Sequence, residues 1–206
     1  MELYRKIFDI SRKLIIDSRT NPDLDLFRVI DMYDAIGPNQ LASKQWLVDE
    51  ALPYINEKDI IMVAGAWYAV QSHLLRLAGV SNTLYNIDTD IGAKRIGKQI
   101  CPTSVYLVED AIDYYLDHND WFSVLINTSS EHMEPDDFEL MMRSKPATTL
   151  LICQSNSNRS EDEHINCHDS PEELAEACKL SDIYYTGSKT FKGKESSYER
   201  HMVIGR

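Results

Sequence analysis

The chain has 206 residues, 43% hydrophobic and 26% charged, a balance that fits one folded domain and excludes a disordered chain. Its formal charge of −12 argues against a broad duplex-DNA-binding face, because neutralising phosphates needs clustered Lys and Arg; a local basic patch stays open, with "KLSDIYYTGSKTFKGK" the best candidate. No apolar run approaches the roughly 20 residues that span a bilayer, and "MELYRKIFDISRKLIIDS" mixes acids with bases and carries no small-residue cleavage site, so the expected location is cytoplasmic, with no membrane contact.

The first fifty residues read as helices. "LYRKIFDISRKLIID" sets Leu3, Ile7, Ile10 and Leu14 on one stripe and stops at "SRTNPD". "LDLFRVIDMYDAI" is a second helix ended by Gly37-Pro38, and "NQLASKQWLVDEALPYI" a third. Residues 1–56 are therefore expected to form a helical extension packed on a core of residues 57–206. Within that core, strand-like runs alternate with helical ones. The strands are "DIIMVAGA", "TLYNID", "SVYLVED", "FSVLINT" and "TTLLICQSN". The helices between and after them are "AVQSHLLRLAG", "IGAKRIGKQIC", "AIDYYLDHN", "EPDDFELMMRSK" and "SPEELAEACKL", the last opening on a Ser/Glu capping box. "SDIYYTGSKT" and "YERHMVIGR" close the chain as two strands joined by a polar turn with Gly193. The expected fold is α/β and Rossmann-like: a seven-stranded, mostly parallel sheet with helices on both faces and a C-terminal antiparallel hairpin. The four cysteines, Cys101, Cys153, Cys167 and Cys178, have no CxxC spacing and read as reduced thiols.

In such a sheet ligands bind at the carboxyl ends of the strands, near the switch in strand order. The first strand ends in "VAGAWYA", where Gly65 permits close backbone approach to a ligand, although one glycine is far from a GxGxxG fingerprint. The second ends at Asp88, with Asp90 two residues on, where doubly wound nucleotide-binding folds place the acid that receives ribose hydroxyls. The third ends in "VEDAID": Asp110 could accept from an adenine amine, with Ala111 and Ile112 against the ring, or simply cap the next helix. The fourth breaks into the polar burst "INTSSEHM". A glycine turn, two acids and a polar burst on successive strand ends favour a nucleoside-bearing ligand.

These motifs resemble the class I S-adenosylmethionine-dependent methyltransferases, over Asp59 to Arg206, with "VAGAWYA", "YNID", "VEDAID" and "LINTSSEH" as the first four motifs and "DIYYTG…YERHMVIG" as the closing hairpin. More narrowly, "INTSSEHM", "QSN" and "EHIN" are similar to a small, poorly described set of phage-encoded methyltransferase-like proteins. The resemblance implies S-adenosylmethionine as cofactor. Gly65, Ala66 and Trp67 would lie along its methionine part, Asp88 and Asp90 at the ribose, Asp110 and Ala111 at the adenine, and Asn127 at the transfer site. The first motif departs from the family's acid and paired glycines, since Trp67 and Tyr68 stand there. No "DPPY" or "NPPY" follows the fourth strand, which disfavours the amino-methylating DNA enzymes.

Methyl transfer from a sulfonium needs positioning and, for a protonated acceptor, a base. His132 has the right chemistry for a base, and Glu131 could orient an imidazole or hold an amine. Ser129, Gln154, Asn156 and His164 could line the pocket of a small-molecule or nucleotide-like acceptor. Gln40, Lys44 and Trp46 could close the site, or Trp46 could be core and Lys44 solvated. Glu131, His132, His164, Cys167 and His168 offer metal-binding types, but His-x-x-Cys-His matches no standard zinc spacing, so no metal is expected. Two other functions compete with methyl transfer: a binding or structural protein that has lost the chemistry, and an enzyme that cleaves the same cofactor.

Overall fold

The structure, a computed structural model, describes residues 2–18, 27–193 and 197–206. The start of the expected second helix at residues 24–26, most of the "SRTNPD" stop and the residues just beyond Gly193 lie outside this set.

Helices α1 (Glu2–Ser18), α2 (Phe27–Asp34) and α3 (Pro38–Ala51) come first. The sheet region runs β1 (Ile60–Ala64), α4 (Val70–Leu77), β2 (Thr83–Asp88), α5 (Ile91–Ile100), β3 (Val105–Val108), α6 (Ala111–His118), β4 (Val124–Asn127), α7 (Pro135–Ser144), β5 (Leu150–Asn156), α8 (Pro171–Ala177), β6 (Ile183–Lys192) and β7 (Ser197–Gly205). The strands lie in the order β3-β2-β1-β4-β5-β7-β6. Strands β1 to β5 pair in parallel, and β7 inserts antiparallel between β5 and β6. The order reverses between β1 and β4, so the switch point lies at the ends of these two strands.

The strands are apolar because both sheet faces are covered. Along β1, Ile61 and Val63 enter one core cluster and Met62 and Ala64 the other, the two-residue period of a pleated strand. The first cluster joins the sheet to Leu3, Ile7, Ile10, Leu47, Leu75 and Ile96 from α1, α3, α4 and α5. The second joins it to Tyr115, Phe138, Met141 and Leu174 from α6, α7 and α8. The expected stripe Leu3, Ile7, Ile10, Leu14 is buried. In the expected capping box Ser170 Oγ accepts from Glu173 N at 3.0 Å, while the Glu173 carboxylate reaches one residue further back, to Asp169 N at 2.7 Å. All four cysteines are free thiols. No described helix is long and apolar enough to cross a membrane.

Candidate functional site

The strand tips share one edge of the sheet. Ala64 is level with Ile87 and Asn127, and Asp88 with Val108. Gly65 leaves β1 at φ +60°, and two non-glycine residues follow in the left-handed region, Trp67 at +44° and Ala69 at +57°. Each costs about 1–2 kcal/mol in an L-residue, so this turn stores strain of the kind that collects at ligand sites. The turn is held from three sides. Ala66 N donates to Ile87 O at 3.1 Å, Trp67 N donates to Asp88 Oδ2 at 2.7 Å, and Tyr106 Oη donates to Trp67 O. From the loop after β4, Ser129 Oγ donates to Gly65 O at 3.2 Å. A Cβ on Gly65 would sit 2.6 Å from that hydroxyl oxygen, so glycine is needed for the approach of Ser129 as well as for its φ. The Trp67 ring stacks on Tyr68 at 5.1 Å.

Asp88 has one backbone N–H on each oxygen, from Trp67 and, at 3.0 Å, from Asp90. It stays partly exposed, and each oxygen keeps a lone pair, so the residue still fits two vicinal hydroxyls. Asp90 is placed differently from the expectation of a second ribose ligand. It caps α5, accepting from Gly92 N and Ala93 N at 2.7 and 3.2 Å, and it is clamped by both terminal nitrogens of Arg28. Desolvation works against its charge, but the Arg28 hydrogen bonds and the two amides outweigh it and hold its pKa below the usual carboxylate range. Asp110 is exposed and caps α6 through Oδ1, leaving Oδ2 without a hydrogen bond from that cap, and Ala111 packs into the second core cluster.

The polar burst folds into a single 3-10 turn, Ser130–His132. Asn127 is fully buried and spends its amide locally. Its Oδ1 accepts from Ser129 N at 3.0 Å, and its Nδ2 meets Met133 Sδ at 3.3 Å. It therefore shapes the loop rather than lining an open hollow. Glu131 is only 1% exposed. Its Oε1 accepts from Arg200 Nη2 on β7 and from Asn156 Nδ2 at 2.7 Å, while its Oε2 is buried with no partner. Gln154 is also buried, exchanging hydrogen bonds with Ser43 of α3 through Oε1 at 3.0 Å and Nε2 at 3.2 Å. Gln154 and Asn156, expected to face an acceptor, are thus satisfied inside the protein. Trp46 is core, donating from Nε1 to Tyr185 Oη at 3.0 Å. Lys44, two residues before Trp46 on α3, is half-buried and hydrogen-bonded to Gln40. Desolvation, then the Arg200 charge, push its pKa down to about 7.

Sequence reading missed Arg200, Ser43 and Arg28. A signal for Arg200 existed: in "YERHMVIG" the two-residue period sets it on the face of Met202 and Ile204, which are core. A charge on that face needs a buried partner, and Glu131 is that partner.

His132 is exposed and His164 half-buried, and their rings meet edge to face with centroids 4.8 Å apart. The loop carrying His164 is tied to the 3-10 turn, because Ile165 N and Asn166 N both donate to Glu131 O, at 2.9 and 3.1 Å. Two hollows lie away from the strand tips. One, of about 270 Å³, opens beside Lys58, Trp121 and Thr149 at the opposite strand ends; the other, of about 380 Å³, lies among α1, α3 and α4.

No protein-family model matches the sequence, and no curated protein matches it. Solved structures do match. A SAM-dependent methyltransferase from Agrobacterium tumefaciens superposes with a TM-score of 0.56 at 12% identity, over 82% of this chain and 63% of that one. The chain thus spans under two thirds of that protein's length. The fold is that of S-adenosylmethionine-dependent methyltransferases. The N-methyltransferase NodS from Bradyrhizobium japonicum matches at 0.59 and 9% identity, over 83% of this chain and 98% of that one. A geranyl diphosphate C-methyltransferase from Streptomyces coelicolor, solved with Mg²⁺, geranyl diphosphate and S-adenosyl-L-homocysteine, matches at 0.60 and 12% identity, over 81% and 77% of the two chains. These likenesses lie in the fold, at 9–12% identity.

Proposed function

We propose that the protein transfers a methyl group from S-adenosylmethionine to a small-molecule or nucleotide-like acceptor. The observation that carries this reading is the partly exposed Asp88 carboxylate at the switch point, beside a strained turn around Gly65. The bound cofactor would supply an electrophilic methyl group on sulfur. Asp88 would receive the ribose hydroxyls on its remaining lone pairs. The turn Gly65, Ala66 and Trp67 would lie along the methionine part, and the free Oδ2 of Asp110 at the adenine edge, beside Ala111 and Ile112. Asp90 would act through Arg28 and α5, by fixing the loop that carries Asp88.

On the acceptor side, Asn127 and Ser129 would shape the wall next to the methyl group. Glu131 has its charge met by Arg200, which suits holding and orienting better than proton removal. His132 is exposed and donates Nδ1–H to Glu163 O at 3.2 Å, which would hold its ring on the acceptor side of the loop. Residues 1–56 would be an extension that closes the site through α3. A cytoplasmic location, a phage source and absence of broad duplex-DNA binding belong to the same reading.

A second reading, a methyltransferase fold retained for binding or structure, is favoured by one observation: the open side of Gly65 is taken up by Ser129. Calorimetry with S-adenosylmethionine and its demethylated product separates the two. Saturable heat supports the enzyme, and none at millimolar ligand supports the structural protein. Breakdown of the cofactor in the absence of any acceptor would instead point to a cleaving enzyme.

A further inference from the structure

The 3-10 turn after β4 and the loop after β5 bring together three groups of metal-ligand type. Glu131, His132 and His164 each offer a ligand atom, and these atoms lie within 4.8 Å of one another. We infer that Glu131, His132 and His164 form a binding site for a divalent transition-metal ion of the zinc, manganese or iron(II) class, with positions left open to a further oxygen ligand. The inference uses these three side chains alone and stands without the methyl-transfer reading.

Three features support it. First, both imidazoles are set in the tautomer a metal needs. His132 Nδ1 lies 3.2 Å from Glu163 O and His164 Nδ1 lies 2.6 Å from Asn158 O. A carbonyl only accepts, so each Nδ1 carries the proton, and in the neutral ring each Nε2 presents its lone pair. Metal-binding histidines are held in this way, with the far ring nitrogen donating to a carbonyl or carboxylate. Second, Glu131 Oε2 is buried without a partner, although Oε1 is doubly hydrogen-bonded. An unmet buried carboxylate oxygen is costly, and a cation at Oε2 would satisfy it. Third, the backbone is fixed before any ion arrives. Glu131 O receives two amides from the His164 loop, and Asn166 Nδ2 donates to Ser130 O at 3.2 Å.

Zinc bonds to imidazole nitrogen and carboxylate oxygen run about 2.0–2.2 Å, so two ligands in one tetrahedral shell lie about 3.4 Å apart. Closing from a spacing of up to 4.8 Å takes a shift of up to about 1.4 Å, within reach of rotamer changes by an exposed and a half-buried histidine. Three protein ligands leave at least one position open, the pattern of reactive rather than purely structural metal sites. Two nitrogens and one carboxylate oxygen select the borderline transition metals over calcium. The position matched to no zinc spacing in sequence because the ligands come from two loops, and Cys167 and His168 are not among them. His168 is turned inward, its Nδ1 3.0 Å from Ser155 Oγ.

The test uses the full chain and the metal alone. Purified protein stripped with chelator is titrated with Zn²⁺ by calorimetry and with Co²⁺ by its visible absorption, for the wild type and for His132→Ala, His164→Ala, His118→Ala and Cys167→Ser. Circular dichroism confirms that each variant is folded. The expected result is one equivalent bound by the wild type and by His118→Ala, with affinity more than about tenfold weaker in each of the two loop variants. No saturable uptake below millimolar metal would overturn the site. So would unchanged affinity in both His132→Ala and His164→Ala, including the case in which only Cys167→Ser loses the metal. Because no S-adenosylmethionine is present, failure here leaves the methyl-transfer reading untouched, and the reverse also holds.

Discussion

Arg200 on β7 and Glu131 in the 3-10 turn after β4 form a buried ion pair, with side chains 8% and 2% exposed. Asn156 shares the same carboxylate oxygen, and Arg200 Nη1 reaches Ser43 Oγ of α3 at 3.3 Å. One charge pair thus joins the closing hairpin, the polar burst, the end of β5 and the N-terminal helices.

Removing one partner leaves the other charge buried and unpaired. Arg200→Met should therefore lower the unfolding free energy by about 3–5 kcal/mol, while the double variant Arg200→Met/Glu131→Leu recovers most of that loss. Urea denaturation of the two single variants and the double variant gives the coupling directly. Additive losses would show that the pair does not act as a unit.

At the first turn, Gly65→Ala adds a Cβ 2.6 Å from Ser129 Oγ at a residue whose φ is +60°. The backbone conformation alone costs about 1–2 kcal/mol, and the contact adds to it. Guanidinium unfolding should show a loss of at least that size. Gly79→Ala, also at positive φ but with nothing within 4 Å of its Cβ, should lose only the backbone part.

Lys44 gives a pH signature. Its pKa falls from the ordinary 10.5 to about 7 in the folded chain, first through desolvation and then through Arg200. Between those values the unfolded chain holds a proton that the folded chain lacks. Stability linked to Lys44 therefore rises as pH climbs from about 7 towards 10, and the penalty is fully present below that window. Lys44→Met, which keeps the stem and removes the charge, should flatten this slope. Urea midpoints at pH 7, 8 and 9 for both proteins check it; parallel curves would show that the ammonium is solvated.

Much of this architecture was legible in the sequence, because apolar runs and helical stripes report burial directly. The strand sequence, the hairpin and the stripe of Leu3, Ile7, Ile10 and Leu14 follow from periodicity alone. The site was legible to the level of strand tips and no further. Asp90 could not be separated from Asp88, because its engagement depends on Arg28, 62 residues away in the chain. Gln154 and Asn156 looked like pocket residues because polar side chains at a strand end resemble ligand contacts until their partners are known. Their partners, Ser43 and Glu131, come from other elements. The pairing of His132 with His164 likewise depends on a loop whose path no spacing rule encodes.

The central claim is that the tips of β1 and β2 hold an adenosyl cofactor through Asp88, and a calorimetric titration of the wild type and of Asp88→Ala with S-adenosylmethionine tests it most directly. The account predicts saturable binding to the wild type and a loss of about 1–3 kcal/mol in the variant, roughly 5- to 150-fold in affinity. Equal affinity in the two proteins, or no heat from the wild type at millimolar cofactor, would contradict it.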